Sequence, residues 1–305
     1  MGPLSRNDSL ASTAIDSLLG ELERVRAFQQ APPPGLDGLR LGPELGRGAM
    51  AVVYRATDEL GREVALKLAA TPWRSRAIER ERRALALAGP SPDLARLVGG
   101  GHHGGREYLL LELIEGESLA APGRLGRLPF DAVAWALAPV ARALARLHAG
   151  GILHRDVKPA NVVKRRDGRG TLIDLGLARL PGESEEPGRS AGTPSYMAPE
   201  HLRGGDRVGP AADVFSLGVT LWELLAGHLP QVASTVHDLL LLRATQSVPP
   251  LPRSISARVP DALIGLVHDC LAPDPADRPE AAWLARALEP YAAAPAGGPD
   301  ARRAA

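Results

Sequence analysis

A single cysteine among 305 residues leaves nothing for an internal disulfide to pair with. Cys270 lies in the apolar stretch ALIGLVHDCLA and reads as a small core residue, in a chain suited to a reducing compartment. Net charge is nearly absent too: 36 Lys and Arg against 35 Asp and Glu leave no general attraction to nucleic acid or to an acidic membrane surface. No apolar run approaches the roughly 20 residues that span a bilayer. Asp8, Asp16, Glu21 and Glu23 stand where a signal peptide would carry its apolar core. The expectation is a soluble, cytoplasmic protein with no nucleic-acid partner and no membrane partner. Length does not limit core burial, whether in one large domain or in two lobes.

What is present falls into stretches of different character. Over residues 9–30, Leu10, Ala14, Leu18, Leu22, Val25 and Phe28 recur at three- and four-residue intervals, as in a helix with one apolar stripe, and the prolines at 32–34 stop it. Residues 1–38 thus read as an amphipathic helix and a Pro-rich linker. The stripe has three candidate partners: the chain's own main domain, a second copy, or another protein. From Leu39 to about Ile114, strand-like runs such as EVALKLA and EYLLLELI are separated by the turn segments DELGRE and GHHGG. The exception is SRAIERERRALALA, 75–88, which has no Gly or Pro and is rich in helix formers. A small sheet carrying one helix results. His102 and His103 fall in its Gly-rich turn, and no further ligands are spaced nearby to make them a metal pair.

Beyond about Leu128 the pattern turns helical. Val133, Leu137, Val140, Leu144 and Leu147 mark a buried face that ends at Gly150-Gly151, with Pro139 predicting a local bend. NVVKR and GTLID read as a hairpin turned at Asp167-Gly168, and helices are expected at about 211–226, 233–244, 261–271 and 280–289. Residues 291–305 have no core-forming content and read as a disordered tail.

Three segments carry chemistry. LGRGAMAVVY, 45–54, joins two strand-like runs through Gly46 and Gly48, whose missing side chains let backbone N–H groups close over a phosphate. A dinucleotide fingerprint would need a helix next, yet Val52-Val53-Tyr54 continues as a strand. Lys67 ends an apolar strand about twenty residues later, within reach of phosphates under that loop, and Glu81 or Glu79 on the following helix is the candidate to hold its ammonium. HRDVKPAN, 154–161, then concentrates a histidine, an arginine, an aspartate, a lysine and an asparagine in eight positions.

With DLG at 174–176, APE at 198–200 and DVFSLG at 213–218, this order of motifs resembles the protein serine/threonine kinase family in its bacterial, eukaryotic-like form. The resemblance covers residues 39–290 and implies an α+β, two-lobed fold: a small antiparallel-sheet N-lobe with one helix, 39–114, and a larger, mostly helical C-lobe, 115–290. It implies ATP and Mg²⁺, or Mn²⁺ in its place, as cofactors, and protein substrates as partners. By resemblance Asp156 orients the substrate hydroxyl and accepts its proton, and Lys158 neutralises the transferring phosphate. Lys67 reaches the phosphates, with Glu81 on the following helix, or Glu79, holding its ammonium, and Asn161 and Asp174 hold the metal. Leu45, Gly46, Gly48, Val53 and Ala65 would surround the nucleotide, with Leu111 at the rear pocket and Glu112 and Ile114 giving backbone partners to adenine. His154 is a structural brace.

Arg155 implies a site for a phosphorylated residue of the activation segment, Asp174 to Glu200, with Ser184 and Ser190 as candidates. The carboxylates of ESEE, 183–186, are a candidate stand-in for that phosphate. Thr193 is matched to the residue that contacts Asp156 and Lys158, and Glu200 and Arg278 to a buried pair. Ala51 replaces a usual third glycine, DLG the commoner DFG, and Phe215 a usual tryptophan; the histidine-proline turn after the first helix is replaced by GPSPDL. A catalytically idle scaffold would have no need of Lys67, Asp156, Asn161 and Asp174 together, and AGTPSYMAPE resembles a protein-substrate platform rather than a small-molecule phosphotransferase.

Overall fold

The structure, a computed structural model, describes residues 36, 38–121, 128–183, 191–203 and 208–292. The helix expected over 9–30, Ser184, Ser190 and the tail beyond 292 lie outside them. The described residues divide into two units, one of residues up to 79 with 98–113, the other of 80–97 with those from 114 onward.

In the first unit, β1 (Leu39–Arg47), β2 (Ala51–Asp58), β3 (Glu63–Ala69), β4 (Leu97–His103) and β5 (Arg106–Glu112) form a sheet in the order β1-β2-β3-β5-β4. Side chains alternate between faces along each strand. Val52, Tyr54, Ala56, Val64 and Leu66 therefore share one face, where they bury with Leu36 and are flanked by Leu39, Leu41, Val98, Tyr108 and Leu110. The expected GHHGG turn is shorter than its composition implied. β4 runs through both histidines and the connection shrinks to Gly104-Gly105, at φ 56° and 76°. Two residues at positive φ make the tight hairpin that lets both strands run to their ends. Helix α1 (Ser75–Ala88), of which residues 80–88 belong to the second unit, matches the expected helix residue for residue.

In the second unit, α2 (Phe130–Ala149) buries Val133, Leu137, Val140, Leu144 and Leu147 on one face, as the spacing predicts. After the short α3 (Pro199–Arg203), α4 (Pro210–Ala226) is buried along almost its whole length. It ends on Gly227 at φ 86°, whose N–H returns to the Glu223 carbonyl at 2.7 Å, a left-handed glycine cap. Then come α5 (Val236–Thr245), the short α6 (Arg253–Ser256), α7 (Asp261–Cys270) and α8 (Ala281–Leu288). α2 packs against α4 and α8, and α4 against α7. α5 starts three residues later than the apolar pattern placed it, because the Thr235 side chain accepts from Asp238 N at 3.1 Å and caps it there. Cys270 is fully buried, and burial pushes its thiol well above the usual range, so it is the inert core residue expected.

The expected hairpin is β7 (Val162–Arg165) and β8 (Gly170–Leu172), with Gly168 at φ 87° in its turn. It is narrower than predicted. Asn161 closes a 3-10 turn before it, Ile173 and Asp174 follow it, and β6 (Gly116–Ser118) pairs with β7 to make a three-stranded sheet. Among the described residues no helix is long and apolar enough to cross a membrane.

Candidate active site

The loop from His154 to Asn161 is fixed from below by one carboxylate. Asp213, in the first turn of α4 and 1% exposed, accepts the backbone N–H groups of His154 at 2.9 Å and Arg155 at 2.8 Å, and His148 Nε2 at 2.9 Å. Burial alone would raise its pKa. The hydrogen bond and charge of His148 and the Arg155 N–H outweigh it, so the carboxyl is held below its ordinary value. This anchor holds Arg155 at φ 68°, a left-handed backbone that side chains disfavour; Asp174, at φ 66°, is the other non-glycine in that region among the described residues. Arg155 directly precedes Asp156 in the chain, and Asp174 directly follows Ile173, whose carbonyl faces His154. His154 is the brace the sequence implied. Its Nε2 faces the Ile173 carbonyl at 3.2 Å and must carry the proton, which leaves Nδ1 to accept Asp156 N at 3.3 Å.

Asp156 collects four donors. Oδ1 accepts Thr193 Oγ1 at 2.7 Å and Thr193 N at 3.0 Å; Oδ2 accepts Lys158 Nζ at 2.7 Å and Asn161 Nδ2 at 3.0 Å. Lys158 Nζ also reaches Thr193 Oγ1 at 2.6 Å. Thr193 therefore sits where the resemblance placed it. Asn161 spends its amide nitrogen on Asp156, and its amide oxygen makes no hydrogen bond among the described residues. The Ile173 N–H donates to the Asn161 carbonyl at 2.9 Å, so the residue before Asp174 is tied to Asn161. An amide oxygen and a carboxylate are the ligand types that suit a hard divalent cation.

The stretch after Thr193 is held as firmly. Gly192 has φ 124°, and a Cβ there would stand 2.4 Å from the Arg155 carbonyl, so glycine alone lets the two segments approach. Arg278 and Glu200 form the expected buried pair, Nη1 to Oε1 at 2.6 Å and Nη2 to Oε2 at 2.9 Å. Phe215, in the place of a tryptophan, has the Arg278 guanidinium 4.9 Å and the Arg243 guanidinium 5.5 Å from its ring centre. The Tyr196 hydroxyl donates to Glu223 at 2.6 Å. Burial raises the pKa of Tyr196, and that hydrogen bond adds to the shift; burial likewise raises Glu223. Glu183, first of the ESEE carboxylates, is already engaged: it accepts Arg80 Nη1 at 2.8 Å and Leu180 N at 3.1 Å rather than Arg155. A helix arginine bonded also to the Ala178 carbonyl at 3.1 Å has taken that role, and the other three residues of the run lie outside the described residues.

In the sheet unit, register does the positioning. Val53 faces Lys67 across β2 and β3, Ala65 faces Leu111 and Lys67 faces Leu109 across β3 and β5, and Gly46 faces Val53 across β1 and β2. Val53, Ala65, Lys67 and Leu111 consequently share the sheet face opposite the Leu36 core, with Gly46 beside them. Gly48 N–H closes onto the Ala51 carbonyl at 2.9 Å in the turn between β1 and β2. No heavy atom lies within 4 Å of where a Gly46 Cβ would stand, open space of the kind a phosphate needs and a side chain would fill. Leu45 is half exposed at the same strand end. Glu112 ends β5, and Ile114, two residues on, begins the part of the second unit that follows the sheet. Of the two candidate carboxylates on α1, Glu81 is 1% exposed and Glu79 is exposed. A carboxylate out of water needs donors, a demand that burial makes on Glu81 and not on Glu79.

The profile of the protein kinase domain matches residues 39–288. The chain belongs to the protein kinase family. It is 35% identical over 272 residues to the serine/threonine-protein kinase pkn2 of Myxococcus xanthus, covering 83% of this chain and 32% of that protein. It is 34% identical over 251 residues to the DNA damage-responsive serine/threonine-protein kinase RqkA of Deinococcus radiodurans, covering 77% and 36%. The serine/threonine-protein kinase PknD of Mycobacterium tuberculosis matches at 35% over 243 residues, 77% of this chain and 36% of that one. The chain thus spans about a third of the length of these relatives. Membership in this kinase family accounts for the sheet unit, the helical unit and the order of the motifs. Members use ATP with a divalent metal.

Sequence reasoning missed three features that hold these loops: the Asp213 anchor, Arg243, and the Arg80 to Glu183 pair. The first lay inside a quoted motif without a role. The others are arginines on helices, which read as solvated charges.

Proposed function

We propose that the chain is a protein serine/threonine kinase that transfers the γ-phosphoryl group of ATP, with Mg²⁺ or Mn²⁺, to serine and threonine hydroxyls of protein substrates in bacterial signalling. Autophosphorylation is among its reactions, and its setting is the cytoplasm. The observation that carries this reading is the carboxylate of Asp156 hydrogen-bonded to Lys158 and Thr193 within 2.7 Å. In phosphoryl transfer the substrate oxygen forms a bond to phosphorus, the bond from phosphorus to the diphosphate breaks, and the hydroxyl proton must leave. Asp156 orients the hydroxyl and takes that proton. Lys158, 2.7 Å away, offsets negative charge on the group in transit. Asn161 Oδ1 and the Asp174 carboxylate are the oxygens that would hold the divalent cation, which supplies positive charge to the phosphates when bound.

Lys67 is assigned to the phosphates, and Glu81, the buried one of the two α1 carboxylates, to orienting its ammonium. Gly46 and Gly48 cover the phosphates; Leu45, Val53, Ala65 and Leu111 line the apolar part, and Glu112 and Ile114 offer backbone groups to the base. Arg155 is assigned to receive a phosphorylated Ser184 or Ser190. The N-terminal stretch 1–38 is left with the same three candidate partners.

The test is incubation of the purified chain with Mg²⁺-ATP, beside an Asp156→Asn variant, and mapping of phosphosites by mass spectrometry. Phosphate on serine or threonine is expected in the unaltered protein, with the rate down by about 10²–10⁴-fold in the variant, the usual share of a positioned base. Equal labelling of both would remove Asp156 from the role, and labelling of neither would leave a binding scaffold.

A further inference from the structure

Among the described residues, Arg243 is a cation buried without an anion. It lies in the last turn of α5, 4% exposed, and its partners among the described residues are backbone carbonyls and a ring. Nη1 donates to the Pro194 carbonyl at 3.2 Å and to that of Met197, Nη2 donates to that of Ser195, and the guanidinium carbon sits over Phe215. Burial pushes the guanidinium down to about 10, with no carboxylate to offset the cost. An arginine at a helix end can stay in water at no cost, and here it does not.

The three carbonyls belong to the turn that immediately follows Thr193. The fourth carbonyl of that turn, Tyr196, accepts Ser216 Oγ of α4 at 2.8 Å. All four carbonyls from 194 to 197 are thus held by side chains of α4 and α5, while the Tyr196 and Met197 N–H groups return to Thr193 and Pro194 at 2.9 and 3.2 Å. Every carbonyl of the turn has a side-chain partner, and the turn's first neighbour is the hydroxyl bridging Asp156 and Lys158.

We propose that Arg243 is a positioning residue for the protein substrate: by holding the 194–197 turn it fixes the surface on which the polypeptide around the accepting hydroxyl docks, and keeps Thr193 seated on Asp156. This rests on the kinase reading. Lysine keeps the charge but cannot serve three carbonyls with a planar fork. Arg243→Lys is therefore expected to raise the KM for dephosphorylated casein about tenfold, the scale of one charge-assisted hydrogen bond, and to leave the KM for ATP unchanged. Amide exchange at Tyr196 and Met197 should quicken in the same variant, and Arg243→Gln should go further in both.

A parallel rise in both KM values, or unchanged exchange at those two amides, would overturn the assignment. An unaltered protein that transfers no phosphate sinks the kinase reading and this substrate role with it. The exchange data then show separately whether Arg243 pins the turn.

Discussion

Lys67 stands where it does because β2 and β5 pair with β3 in register, whereas Asp156 stands where it does because Asp213, far along the chain, accepts the N–H groups of the two residues before it. The sheet positions its candidate groups by repetition: one residue in two faces the right way, and each strand is held by many equivalent bonds. The loops of the helical unit have no such ladder. Arg155 and Asp174 sit in left-handed backbone, Gly192 touches the Arg155 carbonyl, and a few buried polar pairs hold them there. Point changes should therefore act differently in the two units, grading smoothly on the sheet face and failing abruptly at the loop anchors.

The largest effect is expected at Arg278. Arg278→Ala leaves the Glu200 carboxylate buried without its two guanidinium bonds, and loss of one partner of a buried pair costs about 3–5 kcal/mol. Thermal melting should show it as a large drop or as failure to fold, and an undiminished melting temperature would show that the pair adds nothing. Asp213→Asn comes next, at about 1.5–3 kcal/mol near neutral pH, the scale for hydrogen bonds to a charged group.

That deficit carries a pH signature. The folded pKa of Asp213 lies below the ordinary 3.8. Its contribution is thus complete above the unfolded value near about 4 and is lost as pH falls through the folded one. The gap in melting temperature between the two proteins should be widest near neutrality and close below about pH 4; a gap that does not change with pH would mean that the charge is not what anchors the loop. The smallest effect on stability belongs to the sheet. Gly46→Ala meets no atom within 4 Å and should shift folding by less than about 1 kcal/mol, while raising the KM for ATP. A large melting shift there would break the contrast between the units.

The same contrast sets what the sequence made legible. EVALKLA alternates or runs apolar over a length that fits a strand, and the stripe from Val133 to Leu147 repeats at helical spacing, so β3 is legible as a strand and α2 as a helix with its buried face. The loop residues were legible only through the resemblance, since nothing periodic marks Thr193 or ties it to Asp156. β6 has three residues and no pattern, and only pairing with β7 makes it a strand. His102 and His103 were placed in a turn because glycines crowd them, yet two glycines sufficed for the hairpin. Arg243 and Arg80 were invisible for a physical reason: a helix arginine is solvated by default, and only the fold supplies the carbonyls or the carboxylate that draw it in.

The division of labour between the units is tested most directly by one set of steady-state kinetics, the ATP dependence of phosphoryl transfer in the unaltered protein, in Asp156→Asn and in Gly46→Ala. The account predicts a clean split: turnover collapses in the loop variant with the KM for ATP kept, and the KM for ATP rises in the sheet variant with turnover kept. Nucleotide affinity lost at Asp156 with turnover intact, or turnover lost at Gly46 with affinity intact, would contradict it.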